Sequence, residues 1–315
     1  MAVNVLEYAK LFETNLDLLA VQTLKTGFMD ANSGQVRYSG GDEVKVPKLS
    51  VQGLGSYSRE EGYVRGAVNL SYQTLKMTQD RGRKFMIDAM DVDESNFLAT
   101  AGNVMGEFQR TMLVPEIDAY RISKLAATAM GVEGDVQAEY GYTVDGSSII
   151  KKIKTAIKRI RENGYDGEID ILATYDVVGA VEEAVLGKLT AMTFSQAGIN
   201  TQVPQIDGCP LIAVPSNRMY TAITVYDGKT GGQEAGGYKK GEKGLDVNFA
   251  AIARSVPIAV TKQDKMRIFT PDTYQAANAW SIDYRRYHDL WVLDNKKGSL
   301  FVNVRDAKPK CASKS

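Results

Sequence analysis

The segment Lys45–Ala127 restricts the fold more than any other part of the chain. It opens as alternating, strand-like stretches and passes through RGRKFMIDAMDVDES (Arg81–Ser95) into one long amphipathic helix. Glu43–Val51 places Val44, Val46, Leu49 and Val51 in alternation, the pattern of a strand. Gly53, Gly55, Gly62 and Gly66 then interrupt a polar stretch that contains Ser58–Glu61, and alternation returns with Val68, Leu70 and Tyr72. Its phase changes near Thr74, giving Leu75 and Met77, which predicts a bulge or a sharp twist. It continues through Phe85 and Ile87. An isolated pair of strands is marginal in water. A ribbon this long, with so little apolar surface, needs a wall outside its own subunit.

Asp88, Asp91, Asp93 and Glu94 cluster where the helix begins. They lack the spacing and central glycine of a calcium loop. Negative charge at a helix N-terminus is favourable in itself, and Asp93 or Ser95 suits an N-cap. Phe97, Leu98, Ala101, Val104, Met105, Phe108, Met112 and Leu113 mark one helical face. Pro115 is expected to kink or split the helix, which resumes with Ile117 and Tyr120 and runs to about Ala129. At the other end, residues 4–25 space Val5, Tyr8, Phe12, Leu16 and Leu19 as an amphipathic helix, which either docks on a neighbour or packs on the chain's own core.

The remainder reads as mixed α and β. A helix over 147–162 faces Ile149, Ile150, Ile153, Ile157 and Ile160 inward. It covers the rest with Lys151, Lys152, Lys154, Lys158, Arg159 and Arg161, a face suited either to solvent or to phosphates. Glu168–Thr174 is a buried-type strand and Tyr175–Leu186 a helix, and short strands follow at Pro210–Pro215, Tyr220–Tyr226, Asp246–Ile252 and Pro257–Lys262. Asp227–Gly244 carries seven glycines, a composition that predicts a mobile surface loop. Alternation returns around Trp280–Tyr284, Leu290–Leu293 and Leu300–Val304, before a polar tail.

Catalytic chemistry finds little support. The one histidine, His288, stands in DYRRYHDLW, the setting of a strand residue with a satisfied ring. Cys209 and Cys311 have no ligand partners at metal spacing. Gly228-Lys229-Thr230 mimics a phosphate loop, but Ile223 occupies the position where that motif requires glycine. No cofactor or metal is expected, and the chain does not read as an enzyme. Lys plus Arg and Asp plus Glu both number 38, so the chain lacks the basic excess of a dedicated nucleic-acid binder. The N-terminus has no signal-peptide pattern, and no apolar run reaches the ~18 residues of a membrane span. No membrane partner is expected.

DRGRKFMIDAMDVDES (Asp80–Ser95) followed by NVMGEFQRTMLVPEIDAYRISKLA (Asn103–Ala126) resembles the major capsid proteins of tailed bacteriophages, which have the Hong Kong 97 fold. The resemblance implies an α+β chain with an N-terminal arm at 1–42 and an extended loop at 43–87 that lies across a neighbouring subunit. It further implies a peripheral domain with a spine helix at 88–144, an axial domain at 145–262, and return strands with a C-terminal tail at 263–315. The implied function is structural: self-assembly through pentamers and hexamers into an icosahedral head in the virion, made in the host bacterial cytoplasm. Portal and scaffold proteins are the implied partners, with packaged double-stranded DNA touched weakly and non-specifically. Arg59, Glu60, Glu61, Arg65, Arg81 and Arg83 in the ribbon are the candidate intersubunit ion-pair residues. An encapsulin-like protein-cargo shell, a tail or sheath tube, and a cytosolic α/β enzyme are the alternatives.

Overall fold

The computed structural model describes residues 24–35, 43–60, 62–88, 90, 101–185, 191–196, 199–271, 273 and 277–309. The expected helix over residues 4–25, the acidic cap at Asp91–Ser95, and Glu61 fall outside the described residues, apart from Leu24 and Lys25.

Strands β1 (Glu43–Val51) and β2 (Val68–Lys76) form a two-stranded antiparallel ribbon, and β3 (Gln79–Asp88) follows at once. A helical rod comes next: α1 (Ala101–Phe108), a π turn (Gln109–Leu113) and α2 (Val114–Met130). The rod does not split at Pro115, because Leu113 and Val114 keep right-handed helical dihedrals. Pro115 has no amide hydrogen to return to the preceding turn, and the ladder shifts to π spacing immediately before it. The span Ala101–Met130 is about 45 Å long at 1.5 Å per residue.

The larger core belongs to a seven-stranded sheet with strand order β4-β14-β11-β5-β8-β7-β6. Its members are β4 (Ala138–Glu139), β5 (Ile169–Thr174), β6 (Ala191–Gln196), β7 (Ile199–Ile206), β8 (Cys209–Val214), β11 (Val247–Ala253) and β14 (Leu300–Val304). Helices α3 (Ile149–Glu162) and α4 (Tyr175–Val185) pack on it. On α3, Ile149, Ile153, Ile157 and Ile160 are buried as their spacing predicts while Ile150 is only half-buried, and every residue of β5, β11 and β14 is buried. Asp207 and Gly208 both take positive φ between β7 and β8, the two-residue turn that an Asp-Gly pair favours.

A second sheet, ordered β12-β13-β3, joins β12 (Ile258–Phe269) and β13 (Ala279–Trp291) to β3. Its inner face packs Phe85, Ile87, Met266, Ile282 and Tyr284 against Met105, Phe108, Leu113 and Ile117 of the rod.

Three pairings differ from the sequence reading. Residues 79–88, expected in the extended loop, are the edge strand of the second sheet, because β13 supplies a partner from Ala279 to His288. Strand β12 continues across the expected boundary at 262, although its register against β13 shifts there, between Thr261 and Gln263. Strand β14, expected to return to the peripheral sheet, pairs with β11 and β4 in the larger one.

Asp227–Gly244, expected as a mobile loop, folds as part of a hairpin between β9 (Ile223–Val225) and β10 (Tyr238–Lys240). The segment Leu24–Gln35 lies on the chain's own body, with Leu24, Phe28 and Met29 buried. Asn32 Nδ2 donates to the carbonyls of Arg254 at 2.6 Å and Pro257 at 2.8 Å.

Candidate functional site

The ribbon register runs without a bulge from Glu43 opposite Lys76 to Val51 opposite Val68. Directly opposed residues share a face, so each face can be read along its length. Near the base, Val44, Val46 and Leu75 lie on one face and pack with Met77, Ile258, Val260 and Trp291. The same face further out holds the register positions Lys48 opposite Ser71 and Ser50 opposite Asn69. The other face shows the reverse. It is polar at the base, with Glu43 opposite Lys76, and becomes apolar outward: Pro47 opposite Tyr72, Leu49 opposite Leu70, Val51 opposite Val68.

The change of phase near Thr74 is therefore a change of wall. The base faces the chain's own small core, and the distal half turns its apolar side away from it.

That distal stripe is uncovered: Val51, Val68, Leu70 and Tyr72 are all more than half exposed. The tip adds Leu54 at 107%, Tyr63 at 88%, Val64 and Tyr57. Of the thirteen large hydrophobic side chains exposed among the described residues, these eight lie between 51 and 72. Monomeric surfaces seldom gather apolar groups in this way without a binding role. The tip is nonetheless folded. Ser58 and Gly62 exchange backbone hydrogen bonds of 3.2 and 2.9 Å, Gly62 takes φ +79°, and the Tyr57 and Tyr63 rings lie 4.9 Å apart.

Of the candidate ion-pair residues, Arg59, Glu60 and Arg65 are exposed at this tip. Arg81 and Arg83 are engaged within the subunit instead. Arg81 makes a two-pronged bridge to Glu116 of α2 (2.7 and 3.1 Å) and donates to the Tyr226 carbonyl at 2.6 Å. Arg83 donates to the Glu234 carbonyl at 3.0 Å. Together they tie the β9–β10 hairpin to β3. Both stand on β3, which belongs to the body rather than to the ribbon.

Behind the ribbon, α2 carries a frame of buried charges that the sequence reading missed. Asp118, fully buried, accepts from Arg218 (2.9 Å), the Thr26 hydroxyl (2.7 Å) and the amides of Lys25 and Thr26. Arg121, 1% exposed, grips Asp30 at 2.6 and 3.0 Å. Lys124 pairs with the fully buried Asp289 of β13, and Arg286 with Asp264 at 2.6 Å. No short-range motif announces these pairs, because Asp118 and Arg218 stand 100 residues apart and Lys124 and Asp289 stand 165 apart.

His288 sits in this frame on β13, buried, with the Tyr120 ring edge-on at 5.8 Å. Among the described residues its Nδ1 has no hydrogen-bond partner, so the satisfied ring expected there is not found at that atom. Burial, and then the charges of Arg286, Arg121, Arg81 and Lys124, hold the imidazole well below its usual pKa and keep it neutral.

The other chemical candidates resolve as structure. On α3, Lys152 pairs with Glu139, Lys154 with Asp207 (3.1 Å) and Lys158 with Glu162 (3.5 Å). Arg159 and Arg161 donate to backbone carbonyls, so most of the basic face is engaged at home. In the Gly228-Lys229-Thr230 turn, the amides of Lys229 and Thr230 donate to Asp227 Oδ1 at 2.8 and 2.9 Å. The Thr230 hydroxyl, then those amides, hold the Asp227 pKa down to about 2. The turn's own carboxylate thus takes the place a phosphate would need. Cys209 is buried. Among the described residues, no three His, Cys, Asp or Glu side chains are grouped to hold a metal ion, and no helix is long and apolar enough to cross a membrane.

No protein-family model matches the sequence, and no curated protein matches it. The structure, however, is similar to solved phage structures across most of its length. Against a structure from Gordonia phage Cozz the TM-score is 0.57 at 13% identity, covering 89% of this chain and 86% of that one. Against the asymmetric unit of the bacteriophage PhiM1 mature capsid it is 0.55 at 9% identity, covering 84% and 82%. Against the capsid of cyanophage P-SCSP1u it is 0.54 at 13%, covering 85% and 84%. The fold is that of phage capsid proteins, an α+β architecture, reached with little sequence in common.

Proposed function

We propose that this chain is a major capsid protein that self-assembles into an icosahedral phage head around double-stranded DNA. One observation carries the reading: in a fold shared with phage capsids, the distal ribbon presents an uncovered apolar stripe. A second copy of the chain is the occupant that suits it, because heterologous contacts of this kind repeat into closed rings. A single contact of micromolar strength is worth about −8 kcal/mol. Several such contacts per subunit make closure cooperative without any one being tight. The zero net charge adds no general repulsion between copies. In this reading Arg59, Glu60, Glu61 and Arg65 meet the neighbour at the ribbon tip, the rod is the spine of a peripheral domain, and the chain resides in the virion after synthesis in the bacterial host.

The role is structural rather than catalytic. Portal and scaffold proteins are further partners of a phage head. The self-paired basic face of α3 favours weak, non-specific contact with packaged DNA. The same observation supports a second reading, a shell around protein cargo.

Electron microscopy and light scattering of the purified chain test the proposal. Uniform polyhedral particles, or pentamers and hexamers that close into them, are expected. A monomer at every concentration overturns it. Nuclease-protected DNA inside the particles distinguishes a head from a cargo compartment.

A further inference from the structure

On the β2 side the ribbon passes into the body through Met77 and Thr78, between Lys76 of β2 and Gln79 of β3. A two-residue joint has four soft backbone dihedrals. It is tied at three points. The Met77 side chain is buried with Val44, Val46 and Trp291, and its carbonyl accepts from the Tyr287 hydroxyl at 3.3 Å. The Thr78 amide and hydroxyl both donate to Asp289 Oδ2, at 2.9 and 3.0 Å.

The other oxygen of that carboxylate accepts from the Tyr120 hydroxyl at 2.8 Å, from Lys124, and from the Leu290 amide at 2.6 Å. A carboxylate offers about four lone-pair sites. With five donors on it, Asp289 is fully used. One buried group therefore joins the ribbon root to α2 and to β13.

We infer that Asp289 is the positioning group of the ribbon: its carboxylate fixes the direction in which the strand pair leaves the body. Charge-assisted bonds are short and directional, and a fully buried anion cannot exchange them for water without disrupting the frame around it. The angle at which the apolar stripe is offered is then set inside the subunit, before any neighbour is met. The use of that angle in assembly rests on the shell reading above, whereas the positioning itself does not.

Distances between spin labels within one subunit test this. One label goes at the ribbon tip (Arg65→Cys) and one at the end of α3 (Glu162→Cys), in full-length chain carrying Cys311→Ser and diluted with unlabelled protein. A body pair, Glu162→Cys with Lys243→Cys, is the control. Thr78→Ser keeps the hydroxyl and is expected to leave the tip-to-body distribution as narrow as the parent. Thr78→Val and Asp289→Asn are expected to widen it about twofold, as loss of charge-assisted restraint implies, with the body pair unchanged. An unchanged width in Thr78→Val, or equal widening of the body pair, overturns the assignment. Should Asp289→Asn not fold, Thr78→Val carries the test. A chain that never forms particles still yields these distances, so failure of the shell reading and failure of this one are separable.

Discussion

Helix α2 and the distal ribbon are two regions that depart from the usual placement of side chains in opposite directions. The helix takes Asp118 and Arg121 out of water and pairs each of them. The ribbon leaves Leu54, Tyr63, Leu70 and Tyr72 in water with nothing over them. A buried pair adds little net stability, but breaking one is severe; in this chain the pairs lock the N-terminal segment, the Arg218 turn and β13 in one arrangement. An uncovered apolar stripe, conversely, stays unfavourable until a partner removes it from water. On the proposed reading, the contrast separates what makes the subunit rigid from what would let it adhere.

The most severe way to break that contrast is to remove adhesion alone. Deleting residues 52–66, or introducing Leu70→Asp with Tyr72→Asp, is expected to abolish particles in light scattering. The body's unfolding free energy should move by no more than about 0.5 kcal/mol, the range for exposed positions. A body that unfolds with the deletion would show that the ribbon tip belongs to its own core. Next in size is Asp118→Ala, which leaves Arg218 unmatched. Because Arg218 is only partly buried, the substitution should lower stability in urea by somewhat less than the ~3–5 kcal/mol of a fully buried pair, with aggregation of the subunit rather than clean loss of assembly.

Smaller still is a pH effect from His288. Its folded pKa lies well below 6.5, so folding favours the neutral ring. The stability it contributes is complete above the unfolded value and is lost as pH falls from about 6.5 toward the folded value, by at most about 1.4 kcal/mol per pH unit for one proton. His288→Phe should flatten that part of the urea-midpoint profile, and equal slopes in the two proteins would refute it. The smallest effect belongs to the exposed pair Arg285–Asp80, half in solvent on the outer sheet face. Arg285→Ala should leave the urea midpoint almost unmoved, and move it less again in high salt.

Local patterns made part of this legible in the sequence. The alternation of Val44, Val46, Leu70 and Tyr72 marks the ribbon, and the spacing from Val104 to Leu113 marks the rod. The phase change at Thr74 was visible too, but alternation alone does not say which face has a wall, so a bulge was the natural expectation. Phe85 and Ile87 resume the ribbon's alternation after the polar stretch 79–84, yet their strand pairs with β13 some two hundred residues further on. Asp289 and Asp118 were illegible because the side chains that bind them are distant in sequence. The seven glycines of Asp227–Gly244 misled in the other direction. Gly228 and Gly237 supply the positive φ of turns in an ordered hairpin connection rather than slack.

The ribbon's exchange of faces has one more consequence. In a two-residue periodicity, a slip of one place between β1 and β2 sends every side chain of the slipped strand to the opposite side. A slipped subunit would lose its grip on Met77 and Trp291 at the base and, by the same error, blur the stripe it offers to others. Self-recognition and recognition by a neighbour thus read the same alignment, and a growing lattice of copies would discard misfolded members without any separate inspector.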